Sequence, residues 1–348
     1  MTLKRLALLL LLLPMLALWG CEGDQGPAGP AGADGQDGQD GQDGQDGQDA
    51  IVSCIECHNT DLQNAIVLQY ARSQHALGEY VDYAGGRSSC ARCHSGNGFR
   101  EYWDTGAVDG NLMQPSPFLC GDCHMIHTTF DAANDYALRA SDEVVWSHVV
   151  GTFDFGDNSN VCGNCHQART AEPNIAAPGE TFTITSTHYG PHHGAMANVL
   201  AGTGFAEIAG SMTYPTGGGH LAAGMTCIDC HMGTYSDGAG GHTWWPNVDA
   251  CGTCHAGASD FDINGFQTEI QGLLDDLQAQ LFALGVIEQV DEDGVLMWEP
   301  VTGTYPMAQA RAYFNWIGLT EDRSLGVHNP RYVEALLTNS LEAITPTE

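Results

Sequence analysis

One short pattern constrains this chain more than anything else in it: two cysteines separated by two residues and followed at once by histidine. It occurs at Cys54, Cys57 and His58; at Cys90, Cys93 and His94; and at Cys120, Cys123 and His124. It recurs at Cys162, Cys165 and His166; at Cys227, Cys230 and His231; and at Cys251, Cys254 and His255. On a helical turn these positions, i, i+3 and i+4, project to one face. Two thiols can then add to the two vinyl groups of a haem while the imidazole reaches its iron. The pattern is the c-type haem attachment motif, six times over. Two CxxC units could also build a four-cysteine zinc site, but a histidine follows every CxxC here, which argues for haem.

The chain has 13 cysteines, and only Cys21 lies outside the motifs. No thiol is left for structural disulfides, a free nucleophile or an iron–sulfur cluster. The charge balance is acidic, 43 Asp and Glu against 11 Lys and Arg, a formal net charge of −32. Nothing in such a surface neutralises phosphates, so nucleic acid is excluded as a partner. Anionic membrane surfaces are repelled. Redox partner proteins with cationic surfaces, another cytochrome, or an extracellular acceptor such as a metal oxide fit better. Lys4 is followed by no further lysine, so a haem bound through a CxxCK variant is ruled out.

Residues 1–20 read as an export signal, with Lys4 and Arg5 ahead of a leucine-rich stretch. The stretch is too short for a stable membrane span. Its end, Leu18 to Cys21, resembles a bacterial lipoprotein box, which implies cleavage before Cys21 and diacylation of its thiol. Glu22 follows the cysteine, which leaves the outer membrane open as a destination. In residues 21–49 glycine recurs every third position from Gly23 to Gly47. That is a collagen-like period, but only Pro27 and Pro30 stiffen it, and each later triplet adds an unpaired aspartate. It reads as a flexible anionic tether with a coil reach of about 30 Å, with self-association as a collagen-like stalk the other reading.

Residues 50–260 carry the six motifs at unequal spacings, with abundant glycine and no long apolar period. The predicted fold class is mainly α with extensive loops, little β and a core packed with haem, whose buried apolar surface replaces that of side chains. Residues 261–348 differ. Phe266, Ile270, Leu273, Leu274, Leu277, Leu281 and Leu284 recur at three- and four-residue steps, predicting an amphipathic helix. Residues 286–305 read as a loop or short hairpin, and helices are predicted over 307–316 and 332–344. This helical region is expected to pack on the haem domain.

The second axial position of each iron decides the chemistry: a second histidine suits electron transfer, and an open position makes a catalyst. Beyond the six motif histidines there are nine more among the chain's 15, enough to close every iron. His127 lies three residues after His124 and cannot serve the same iron, so it is expected to cap a neighbouring haem. His328 stands in a Gly326 to Pro330 turn before a helix. His242 follows Gly240 and Gly241, which permit close backbone approach. His75 falls on a predicted helix, and His220 follows three glycines. From the stretch His188, His192 and His193, the expected ligands are His188 and His193. His148, beside Trp146 in an apolar run, is expected to be an ordinary packed histidine. Met125 and Met232, each just after a motif histidine, read as core residues.

On these residues the chain resembles bacterial multihaem c-type cytochromes of extracellular or periplasmic electron transfer, over roughly residues 50–348. The Gly326 to Pro330 tail is also similar to the C-terminal region of the multihaem nitrite reductase superfamily, whose lysine-ligated catalytic haem has no counterpart here. The leader and acidic spacer are similar to the front ends of cell-surface metal-reducing lipoproteins, although six motifs do not match their decahaem pattern. The resemblance implies six covalent haems c and an electron carrier rather than an enzyme. The expected location is the cell envelope: an outer membrane lipoprotein facing the cell surface or the periplasm. Two alternatives go with it: a reductase of nitrite or hydroxylamine type with one open haem, and a subunit of an extracellular cytochrome filament.

Overall fold

The computed structural model of the chain describes residues 58, 60–128, 137–292 and 294–346. The export signal, Cys21, the glycine-rich spacer, Cys54 and Cys57 lie outside the described residues. The chain divides into two units after Gln48, and the second, from Asp49 onward, holds every described residue.

The architecture is mostly short helices and loops with three small sheets. The helices are α1 (Thr60–Tyr70), α2 (Gln74–Leu77), α3 (Ser88–His94), α4 (Gly96–Thr105), α5 (Cys120–Cys123), α6 (Asn160–Gly163), α7 (Pro173–Ala176), α8 (Met196–Ala201), α9 (Gly219–Ala222) and α10 (Cys227–His231). Three longer ones close the chain: α11 (Phe266–Ala283), α12 (Met307–Asp322) and α13 (Pro330–Ile344).

Each described motif is a helical turn, and local chemistry shows why. His124, His166 and His255 donate their backbone N–H to the carbonyls of Cys120, Cys162 and Cys251 at 2.9, 2.9 and 2.8 Å, closing the i to i−4 ring that puts the three motif side chains on one face. Two of these turns are started by an aspartate inside the motif. The Asp122 carboxylate accepts the Leu119 N–H at 2.7 Å, and Asp229 accepts both the N–H and the hydroxyl of Thr226 at 2.7 and 2.9 Å. A carboxylate at the third helical position satisfies N–H groups that the first turn leaves unpaired.

The three closing helices build the main hydrophobic core. Ile270, Leu274, Leu277 and Leu281 form the buried face of α11 at the spacing expected from sequence. They meet Ala312, Tyr313, Trp316 and Leu319 of α12, and Tyr332, Val333, Leu336 and Leu337 of α13. Ile184, Val199, Phe205 and Ile208, from the motif-bearing part, belong to the same cluster. The helix predicted over 307–316 runs further, to Asp322, because Leu319 continues its buried face.

Of the strands, β1 (Val144–Val145) and β2 (Thr152–Phe153) form a two-residue pair beside a second, smaller apolar cluster of Val144, Trp146, Phe155 and Leu200. A longer pairing joins the motif-bearing part to the closing helices: β3 (Thr181–Ile184) lies antiparallel to β6 (Gly303–Pro306), Thr181 opposite Pro306 and Ile184 opposite Gly303. Between α11 and β6 the chain forms a hairpin of β4 (Ile287–Glu292) and β5 (Val295–Pro300).

Loops that have no sheet partner are tied down by buried asparagines. Asn315 on α12 accepts the Ala206 N–H at 2.8 Å and donates to the Ala206 carbonyl at 2.9 Å and to Ser340 at 3.0 Å. Asn339 on α13 accepts from Met212 N at 3.0 Å and donates to the carbonyls of Ile208 and Met212 at 3.1 and 2.9 Å. An amide side chain presents both a donor and an acceptor, so it pairs with a stretch of backbone much as a strand does. Asn315→Leu, of similar volume, strands the N–H of Ala206 in a dry core and leaves its carbonyl only the Ile208 N–H, at 2.9 Å. It is expected to destabilise the protein by about 1–3 kcal/mol, measured by chemical denaturation; an unchanged unfolding midpoint would contradict this role.

Candidate functional site

The histidines are arranged in opposed pairs. Each of the six motif histidines faces one histidine from elsewhere in the chain, with ring centroids 5.9–6.5 Å apart. His58 faces His127 (6.2 Å, planes 20° apart) and His124 faces His242 (6.3 Å, 41°). His166 faces His75 (6.2 Å, 86°) and His94 faces His192 (5.9 Å, 87°). His255 faces His220 (6.5 Å, 75°) and His231 faces His328 (6.2 Å, 30°).

This separation has a chemical meaning. A metal ion held by an imidazole nitrogen on each side, at about 2 Å per bond, sets two ring centroids roughly 6 Å apart. Rings in direct van der Waals stacking would be closer. The donor set therefore fits iron carried by a haem attached at each motif: two cysteines for the porphyrin edge and two imidazoles for the axial positions. Burial favours the form that binds metal. It pushes His166 and His192 down to about 4, with neighbouring positive groups adding to the effect. Burial likewise lowers His75, His94, His231 and His242. These rings are neutral at physiological pH, as ligation requires.

The expected ligands His75, His127, His220, His242 and His328 all stand in these pairs. At the His188 to His193 stretch the structure differs from the expectation. His192 faces His94, whereas His188 and His193 face no motif histidine. His192 has φ +90°, a left-handed conformation for an L-residue, and this turns its ring toward His94 and away from the direction of its neighbour. His193 points out, its side chain 74% exposed, and its Nδ1 lies 2.6 Å from Glu321, which raises its pKa against the opposing effect of burial. His188 is exposed. A positive φ at a non-glycine residue leaves no mark in sequence, so nothing local distinguishes the three nearby histidines. His148 is buried with its ring centroid 5.6 Å from that of Trp146, a packed histidine.

Of the glycines before His242, Gly241 makes a close approach to α1. A Cβ on Gly241 would collide with Gln69 Oε1, so the close approach is to α1, and that same oxygen accepts the His242 N–H at 3.0 Å. Gly326, φ +85°, lets the loop before α13 pass against α11: a Cβ there would lie 2.8 Å from the ring of Phe266. That contact sets where His328 begins.

The motifs are interleaved in space. The side chain of Cys93 meets Cys165, and that of Cys162 meets Cys227, so the Cys162–His166 motif lies between two others. Trp244 links three histidine pairs. Its ring sits edge-on to His75 (centroids 4.7 Å apart) and to His242 (5.5 Å), and its carbonyl accepts from His231 Nδ1 at 2.8 Å. Opposite His231, His328 Nδ1 lies 2.7 Å from Asp322 Oδ1. Burial alone would lower the pKa of His328, but the charge and hydrogen bond of Asp322 outweigh it and the net shift is upward. Neither Trp244 nor Asp322 is identifiable from sequence, since no motif or period marks them.

Histidine pairs at motif cysteines, on a mostly helical, loop-rich fold, define a multihaem c-type cytochrome, whose cofactor is covalent haem c. Comparison with known proteins agrees. The chain is similar to the C-type polyheme cytochrome OmcB of two strains of Geobacter sulfurreducens, 25% identical over 335 residues, covering 75% of this chain and 44% of the relative. It thus spans less than half the length of the curated relatives it matches. Among solved structures it is similar to the outer cell wall cytochrome OcwA, with TM-score 0.51 and 19% identity, covering 80% of this chain and 50% of that one. That likeness concerns the fold. A match to the cytochrome c nitrite reductase of Desulfovibrio desulfuricans has a TM-score of only 0.30 and carries no weight. No family model matches the chain.

Proposed function

We propose that this chain binds six haems c, each iron held between a motif histidine and one distal histidine, and that it carries electrons between a donor in the cell envelope and an acceptor outside it. The observation that carries this reading is the complete set of opposed histidine pairs: six motif histidines, six partners, all at the separation of two axial ligands. The distal ligands are His75, His127, His192, His220, His242 and His328. The attaching cysteines are the twelve of the motifs, Cys54 and Cys57 included.

Iron held between two imidazoles exchanges single electrons with little rearrangement and offers no open coordination position. The chain's own residues do the rest. Helical turns hold the motif histidines at the five described motifs, and distal histidines from other segments would cap them. Cys93 lies beside Cys165 and Cys162 beside Cys227, so neighbouring motifs have adjacent attachment points. Closing every iron favours electron carriage over substrate reduction.

The location is part of the same proposal. A lipid on Cys21 would tie the protein to the outer membrane, and the glycine-rich spacer would hold the acidic domain away from a surface that repels it. The likeness to a cytochrome described as belonging to the outer cell wall supports an envelope position. Among the described residues no helix is long and apolar enough to cross a membrane. The net charge of −32 favours a donor with a cationic docking face, or an oxidised metal mineral as acceptor.

Three measurements test this. Intact mass of the denatured holoprotein is expected to exceed the polypeptide mass by six haems; fewer would remove the six-haem reading. His192→Ala is expected to turn one low-spin haem high-spin and open it to carbon monoxide, while His193→Ala leaves every haem low-spin; the reverse result would reassign that ligand. The angle between axial imidazole planes sets the splitting of the iron orbitals. The oxidised protein should therefore show two classes of low-spin paramagnetic resonance signal. Three haems with planes 20–41° apart should be rhombic, and three with planes 75–87° apart strongly anisotropic. A single rhombic class would contradict the pairing geometry.

A further inference from the structure

We infer that Asp322 is a positioning residue that lowers the reduction potential of the haem attached through Cys227 and Cys230. The inference rests on the proposed ligation of that haem by His231 and His328.

Asp322 closes α12, with its side chain 1% exposed. One carboxylate oxygen lies 2.7 Å from His328 Nδ1. The other accepts from the hydroxyl of Ser324, two residues on. The same hydroxyl accepts the His328 backbone N–H at 3.4 Å. Gly326 is pinned against Phe266 of α11, and Pro330 starts α13 immediately after Asn329. The imidazole of His328 therefore has its orientation set from both ends of a short loop, and its Nδ1 faces a buried carboxylate.

That arrangement has an electronic consequence. A ring that binds metal through one nitrogen and donates its other N–H to a carboxylate becomes a stronger donor, with part of the anion's charge passed to the ring. A buried negative charge a few ångströms from the metal also stabilises the more positive oxidation state, since little solvent screens it. Both effects favour ferric over ferrous iron, so both lower the potential. On the other side, His231 Nδ1 donates to the Trp244 carbonyl at 2.8 Å, a neutral acceptor with a weaker effect in the same direction. Glu321 behaves differently. Its carboxylate lies one residue earlier, but it pairs with the exposed His193, which belongs to none of the opposed pairs.

The test is a spectroelectrochemical titration of the full holoprotein. In Asp322→Asn the amide oxygen can still accept from His328 while the charge is lost. One of the six one-electron components is expected to shift upward by at least tenfold in its ferric-to-ferrous equilibrium, about 59 mV for one electron, with the protein still fully low-spin. Asp322→Glu should recover the shift in part. Ser324→Ala should move the same component the other way, because the carboxylate no longer shares its charge with a hydroxyl. This second variant decides the matter if Asp322→Asn does not fold. Components unmoved in both Asp322→Asn and Ser324→Ala would overturn the inference. Failure here is separable from failure of the ligation reading: a wild-type protein that already contained a high-spin or missing haem would count against the latter, whereas six low-spin haems with unmoved potentials would sink the role of Asp322 alone.

Discussion

Everything in this molecule depends on bringing two imidazoles opposite one another, about 6 Å apart, six times, from different segments of the chain. His58 must meet His127, and His231 must meet His328. No regular sheet or bundle does this. Short helical turns present the histidines of the five described motifs, and the partners come from loops and from short helices such as α2 and α9. The cost is a chain full of backbone groups with no regular partner. Buried amides answer it: Asn315 and Asn339 take the place of strand neighbours for the loop around Ala206 to Met212. The closing helices α11 to α13 then supply the larger apolar core, beside the small cluster around Trp146 in the motif-bearing part.

The same constraint bears on three of the positive-φ residues. His127, His192 and Trp244 all have positive φ, a conformation that L-residues avoid unless the surroundings impose it. Two of these face motif histidines, and the third touches the histidines of three pairs. In each case a ring must be aimed at a target that the preceding residues do not point toward. Left-handed backbone turns the side chain within one residue where a longer loop would otherwise be needed.

Much of this is legible in the amino-acid order. The six motifs announce haem attachment by chemistry that needs those residues at that spacing. The buried face of α11 is written in the apolar steps of Ile270, Leu274, Leu277 and Leu281, and five of the partner histidines stand out by their local context. What escapes has a common cause: it depends on contacts between distant segments or on backbone conformation. That His192 and not His193 faces His94 turns on one φ angle. The pairing of β3 with β6 joins residues more than a hundred positions apart, and two four-residue strands carry no strong alternation. Trp244 and Asp322 act on imidazoles contributed by other segments, so no local pattern can reveal them. The glycines before His242 do permit a close approach, yet the neighbour they approach is Gln69, which only the fold shows.

The opposed pairs make a claim about the state of the iron at every site at once. Near-infrared magnetic circular dichroism of the fully oxidised holoprotein tests it most directly, because the charge-transfer band of low-spin ferric haem reports the axial ligand pair. The account predicts bands of bis-imidazole ligation alone, with an intensity of six haems per chain. A high-spin band, or a band of histidine–methionine ligation, would contradict it.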